Sequence, residues 1–227
     1  MFNLPKGLFV SCQAREGNPF KKPELLAVMA EAAVLGGAVG IRADGVDDIT
    51  AIRKKVSVPI IGINKRYDST GRIVITPDFE SAEEVAKAGA DIIALDATFQ
   101  ESDIRPDVAE TIHQIKTKLG LPVMADISTL EEAERAVEFG ADIVATTLNG
   151  YLPGKPYPHD EKYIPNLCLL KEIINSPKIT CPVIGEGRFW NPKDVKTAFN
   201  MGVHAIVIGK AITNPMAATE YFLSHLN

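Results

Sequence analysis

Three cysteines in 227 residues, Cys12, Cys168 and Cys181, are an odd number with no CxxC spacing. That argues against a disulfide framework or a zinc knuckle and fits reduced thiols in the cytoplasm. Tryptophan occurs once and histidine four times. His113, His159, His204 and His225 stand far apart, with no pair at ligand spacing, so no metal site is expected. No apolar run reaches the roughly 20 residues needed to cross a bilayer, and the N-terminus carries no signal-peptide pattern. A basic excess is also missing: 24 Lys+Arg stand against 29 Asp+Glu, a net charge of −5, which disfavours nucleic acid or an anionic membrane as partner. Walker A is absent, and Gly185-Glu-Gly-Arg-Phe-Trp190 begins like a dinucleotide fingerprint but places Trp190 where the third glycine belongs. No cofactor is therefore expected.

What the chain does have is a repeat. Four times a glycine precedes an apolar run: Gly37-Ala-Val-Gly-Ile-Arg42, Gly89-Ala-Asp-Ile-Ile-Ala-Leu-Asp96, Gly140-Ala-Asp-Ile-Val-Ala-Thr-Thr147 and Gly202-Val-His-Ala-Ile-Val-Ile-Gly209. The glycine suits the left-handed position that ends a helix, and the run suits a buried strand. Alternating with these, a proline opens a strand at Pro59, Pro122 and Pro182, where the missing N–H costs no ladder bond. With the opening run from Leu8, strands are predicted at 8–14, 38–43, 59–65, 91–97, 122–127, 141–147, 181–187 and 203–209. Helical patterns follow at 22–36, 46–56, 78–88, 105–119, 129–139, 166–176, 192–201 and 215–225. Eight strands that are apolar on both faces, each followed by a helix, predict an α/β fold: one (β/α)₈ TIM barrel domain over residues 1–227 with an all-parallel eight-stranded sheet.

In such a barrel, chemistry sits at the carboxyl ends of the strands. Asp126 and Glu186 lie four residues after their opening prolines and Lys65 lies six after its own. All three offsets are even, so a single inward phase aims a lysine and two carboxylates at the barrel mouth, with Gln13 as a fourth candidate from the first strand. Each charge taken alone could simply mark a strand leaving the core for water. The matching phase of all three points to a shared pocket, where a buried charge needs a partner or a purpose. After the seventh and eighth strands, Gly187, Arg188, Gly209 and Lys210 offer backbone amides and two cations suited to a phosphate.

Val10-Ser-Cys-Gln13, Ala38-Val-Gly-Ile-Arg42, Pro59-Ile-Ile-Gly-Ile-Asn-Lys-Arg66, Ile93-Ala-Leu-Asp-Ala97, Ala125-Asp-Ile-Ser-Thr129, Thr146-Thr-Leu-Asn-Gly-Tyr151 and Glu186-Gly-Arg188 together resemble the N-acetylmannosamine-6-phosphate 2-epimerase family. The resemblance implies an isomerase that interconverts N-acetylmannosamine 6-phosphate and N-acetylglucosamine 6-phosphate in sialic-acid catabolism. It places catalysis on Lys65 and Glu186, substrate contacts on Gln13, Arg42 and Asp126, and phosphate contacts on Gly187, Arg188 and Gly209. Lys210 stands ready to supply a cation where Asn214 departs from the arginine usual in that family. Arg42 and Arg66 are expected to lower the Lys65 pKa, and Asp126 to hold Lys65 in place. The proline-rich stretch 152–165 is expected to act as a flap, Trp190 to cap the rim, and the chain to be open to homodimer formation. The rival readings are another phosphosugar isomerase, a lyase with a Schiff base on Lys65, and a non-catalytic phosphosugar-binding protein.

Overall fold

The computed structural model describes residues 3–151 and 162–226. Ten strands are present among them: β1 (Gly7–Ser11), β2 (Gly40–Asp44), β3 (Ile60–Ile63), β4 (Lys65–Tyr67), β5 (Ile73–Ile75), β6 (Ile92–Asp96), β7 (Val123–Asp126), β8 (Ile143–Ala145), β9 (Val183–Glu186) and β10 (Ala205–Ile208). Eight close into a barrel in the order β1-β10-β9-β8-β7-β6-β3-β2, and every pairing in it is parallel. The helices are α1 (Pro23–Leu35), α2 (Val46–Arg53), α3 (Phe79–Lys87), α4 (Val108–Gln114), α5 (Leu130–Glu138), α6 (Leu167–Asn175), α7 (Pro192–Met201), α8 (Lys210–Thr213) and α9 (Pro215–Leu223). The predicted TIM barrel is thus the observed fold.

The alternation anticipated from the prolines holds. Phe9, Ile61, Ile63, Ile92, Ala94, Met124, Ile143, Ala145, Ile184, Ala205 and Val207 fill the barrel interior. Their neighbours Ile60, Ile93, Val123, Val144, Val183 and Ile206 pack outward beneath the helices. Gly40 is small for a packing reason. A Cβ there would lie 2.0 Å from Phe9 Cε1, so the ring of β1 occupies the space that β2 leaves open. The four repeat glycines, Gly37, Gly89, Gly140 and Gly202, all have φ between 95° and 110°, the helix-ending conformation that other residues adopt only at a cost.

Local signals set the helix starts. Thr129 caps α5 by accepting from the Glu132 N–H, and Glu132 returns a bond to the Thr129 N–H, a capping box. Asn191 caps α7 with Pro192 at its first turn. The helix expected at 105–119 begins later, at Val108 behind its Asp107 cap, and its last turn, Ile115–Leu119, is a π-helix.

Two elements were not anticipated. The predicted third strand ends at Ile63, and the chain turns into an antiparallel hairpin, β4 against β5, with Lys65 opposite Ile75. Asp68 ties the hairpin turn by accepting from the N–H groups of Thr70 and Arg72. The other is the single turn α8, which begins at Lys210 directly after Gly209. Both escaped notice for one reason: a three-residue strand or a four-residue helix spans too little chain to show a period.

Candidate active site

The inward phase of each strand carries polar side chains to the mouth of the barrel. On β2 it runs Gly40, Arg42, Asp44; on β7 Met124, Asp126; on β9 Ile184, Glu186. A cavity of about 770 Å³ opens there, lined by Gln13, Arg42, Lys65, Thr147 and Glu186 with Arg15, Gly187, Gly209 and Lys210.

Arg42 is the buried centre of this group, with a side chain only 1% exposed. It donates to both oxygens of Asp126, at 3.0 Å from Nη1 and 2.6 Å from Nη2, and from Nη1 to Glu186 Oε2 at 2.7 Å. Burial opposes the guanidinium charge, but Asp126 and Glu186 together outweigh it and hold the Arg42 pKa above its ordinary value. Thr147 Oγ lies 2.5 Å from Asp126 Oδ1 and 3.1 Å from Glu186 Oε2. Thr146 fixes the Glu186 backbone, its hydroxyl accepting from the N–H at 3.1 Å and donating to the carbonyl at 2.9 Å. Glu186 itself is pushed up to about 7, chiefly by burial and further by Asp126, against the opposing pull of Arg42, Thr147 and Lys65.

Lys65 stands on the other part of the cavity wall, as the first residue of the hairpin rather than the last of a barrel strand. Its Nζ donates to Gln13 Oε1 and lies 3.3 Å from Asp44 Oδ2. Gln13 is turned that way because its amide nitrogen donates to Ser11 Oγ at 2.7 Å. Burial lowers the Lys65 pKa; Asp44 opposes this, and the Arg42 and Arg15 charges add to it. Arg66 takes no part, since it is half-exposed and paired with Glu84. Nor does Asp126 hold Lys65: its carboxylate is taken by Arg42 and Thr147, and Asp44 fills that role instead.

After β9, Gly187 (φ 109°), which lines the cavity, and Arg188 (φ 59°) both have positive φ and form a tight turn. The Arg188 guanidinium donates to the carbonyl oxygens of Asn149 at 2.8 Å and Ile164 at 3.2 Å and lies over the Tyr151 ring. Lys210 and Arg15 also line the cavity. Burial lowers the Lys210 pKa, and crowding by Arg15 and Lys162 lowers it further, the electrostatics of a place that would gain from an anion. Trp190 stacks on Tyr221 at 4.9 Å with Tyr163 edge-on. Of the stretch proposed as a flap, residues 152–161 lie outside the described residues.

The site thus gathers Lys65, Glu186, Gln13, Arg42, Asp126, Gly187, Gly209 and Lys210 around one cavity or directly against its lining groups. Sequence reasoning missed Asp44, Arg15 and the part played by Thr147. Asp44 was within reach, since it follows Arg42 by two residues along β2, the period that keeps side chains on one face; Arg15 lies past the end of β1, where no such period applies. Cys12 is buried, and desolvation pushes its thiol up to about 12. Among the described residues no group of His, Cys, Asp and Glu could hold a metal ion, and no helix is long and apolar enough to cross a membrane.

Comparison with known proteins places this architecture. The family described as "Putative N-acetylmannosamine-6-phosphate epimerase" matches residues 26–227. Relatives bearing that description as a 2-epimerase include one from Caldanaerobacter subterraneus subsp. tengcongensis, 43% identical over 98% of this chain and 92% of its own. Another, from Clostridioides difficile, is 43% identical over 98% of this chain and 97% of its own. A solved structure, the N-acetylmannosamine-6-phosphate 2-epimerase from Clostridium perfringens, superposes with a TM-score of 0.89 at 39% identity, covering 96% of this chain and 93% of that one.

Proposed function

The chain belongs to the N-acetylmannosamine-6-phosphate epimerase family, and from that membership we propose how its residues perform the reaction. The enzyme is an isomerase that interconverts N-acetylmannosamine 6-phosphate and N-acetylglucosamine 6-phosphate. In the open-chain sugar the C2 hydrogen lies beside the C1 aldehyde. Neutral Lys65 takes that proton through its Nζ lone pair, and the C–H electron pair moves into an enolate on O1. Protonated Glu186 returns a proton to the opposite face of C2, leaving the inverted epimer; the reverse direction exchanges the two roles. The reaction is redox-neutral and balances without a cofactor.

One observation carries this reading: a lysine pushed down and a carboxylic acid pushed up to about 7 line the same cavity, so burial favours the neutral, basic form of Lys65 while the acid form of Glu186 is accessible near neutral pH. Arg42 and Thr147 orient Glu186, Gln13 and Arg42 meet the sugar hydroxyls and amide, and Asp126 acts on the substrate through Arg42, which it braces from behind. Backbone amides of Gly187, Arg188 and Gly209 receive the phosphate, with Lys210 and Arg15 supplying positive charge. One barrel domain, residues 1–227, does all of this. A cytoplasmic setting in sialic-acid catabolism agrees with three free thiols, and the apolar side chains exposed on α9 support a homodimer.

The test is incubation with N-acetylmannosamine 6-phosphate in D₂O, followed by NMR. The expected product is N-acetylglucosamine 6-phosphate carrying deuterium at C2, with epimerisation abolished in Lys65→Ala and in Glu186→Gln. Product that retains its C2 hydrogen, or near-normal turnover in both variants, would overturn the assignment.

A further inference from the structure

Asp44 is the last residue of β2, in register with Ile63 at the end of β3. Beyond that pair the barrel ladder stops, because the chain after Ile63 leaves for the hairpin. The Asp44 side chain takes over where the ladder ends: Oδ1 accepts from the Lys65 N–H at 3.0 Å, and Oδ2 lies 3.3 Å from Lys65 Nζ. Both ends of one residue are thus held by the two oxygens of one carboxylate. With Gln13 Oε1 as the second acceptor, the lysine arm has a defined arc over the barrel mouth.

We infer that Asp44 is a positioning residue for Lys65, orienting its amine and compensating the charge that forms on it when it takes a proton from the substrate. The inference rests on the two-base reading above. The charged groups facing Lys65 are Arg42 and Asp44 from β2, Arg15 beyond β1, Glu186 from β9 and Lys210 at the start of α8. Three of these are cations, and Glu186 already binds Arg42. Asp44 is therefore the carboxylate placed to meet an ammonium at Nζ. An aspartate that orients a base and stabilises its conjugate acid is a recurring arrangement in proton-transfer sites, and misplacing a base costs on the order of 10²-fold in rate.

Asp44→Asn separates this role from a purely structural one, because the amide oxygen can still accept the Lys65 N–H while the charge is gone. The direct readout is ¹³Cε-lysine NMR titration of the full chain, with the Lys65 resonance assigned by its loss in Lys65→Ala. Removing the carboxylate should move the Lys65 midpoint to lower pH. The acid limb of kcat/KM should follow it, with kcat falling roughly 10²-fold and KM staying within about twofold. Asp44→Glu, which restores the charge on a longer arm, should bring the midpoint back up. An unchanged midpoint in Asp44→Asn, or a midpoint in Asp44→Glu as low as in Asp44→Asn, overturns the inference. If the midpoint moves as stated but the wild-type protein places no deuterium at C2, the reaction assignment fails while the pairing of Asp44 with Lys65 stands.

Discussion

Glu186 is the residue at which stability and catalysis conflict. A carboxyl group held at about 7 against an ordinary value of 4.5 binds its proton more tightly in the folded state than in the unfolded one. Its favourable contribution is fully present below pH 4.5 and is lost as pH rises through 7. Glu186→Gln keeps the shape and removes the titration. The variant should therefore gain on the wild type between pH 5 and pH 8 by on the order of 1 to 3 kcal/mol while losing activity. Urea denaturation of both proteins at the two pH values measures this; a stability difference that is the same at both would show that Glu186 does not titrate as described. The conflict has a functional reason, since the same burial that costs stability keeps the acid form available near neutrality.

The short elements do the positioning. The eight barrel strands deliver Arg42, Asp126 and Glu186, but Lys65 arrives on the β4–β5 hairpin and Lys210 on the single turn α8. Thr213 ties α8 to the barrel, its hydroxyl donating to the Ser11 carbonyl at 2.9 Å, and so Lys210 is carried to the cavity also lined by Arg15, Gly187 and Gly209. If Lys210 meets the 6-phosphate, Lys210→Ala removes one charge-assisted hydrogen bond, a loss of about 1.5 to 3 kcal/mol and so an increase in KM of roughly 10- to 100-fold. Steady-state kinetics decide the point. An unaltered KM would remove Lys210 from the phosphate site and leave the cationic work to Arg15 and the backbone amides.

For the whole molecule, the outer helices differ in how they are used. Helices α3 and α5 bury alanine and valine faces against the barrel, whereas α9 buries none of its residues. On and just beyond it Met216, Phe222, Leu223 and Leu226 are exposed, Phe222 at 69% and Leu226 at 77%, apolar side chains that association could cover. If a second copy covers them, light scattering should report a dimer for the wild type and a monomer for Phe222→Glu. A wild-type monomer at micromolar concentration would assign this surface no role in self-association.

Much of the site was legible in one dimension because its geometry is a matter of period. A glycine after four of the helices and a proline before three of the strands mark where seven of the eight runs begin, and alternation along each run decides which side chains face inward. Asp126 and Glu186 follow from counting alone, and so does the barrel that brings them together; the count also points to Lys65, but the strand it assumes ends at Ile63 and the hairpin carries that residue. What counting cannot decide is which inward side chains meet. Arg42 reaches Asp126 across 84 positions and Glu186 across 144, and a local pattern holds no information about contacts at such separations. Only the closed barrel gives Asp126 to Arg42, leaves Lys65 to Asp44 and Gln13, and sends Arg66 out to Glu84. The physical reason is that a strand's period specifies a direction for each side chain, while the partner at its tip depends on the shear and closure that all eight strands set together.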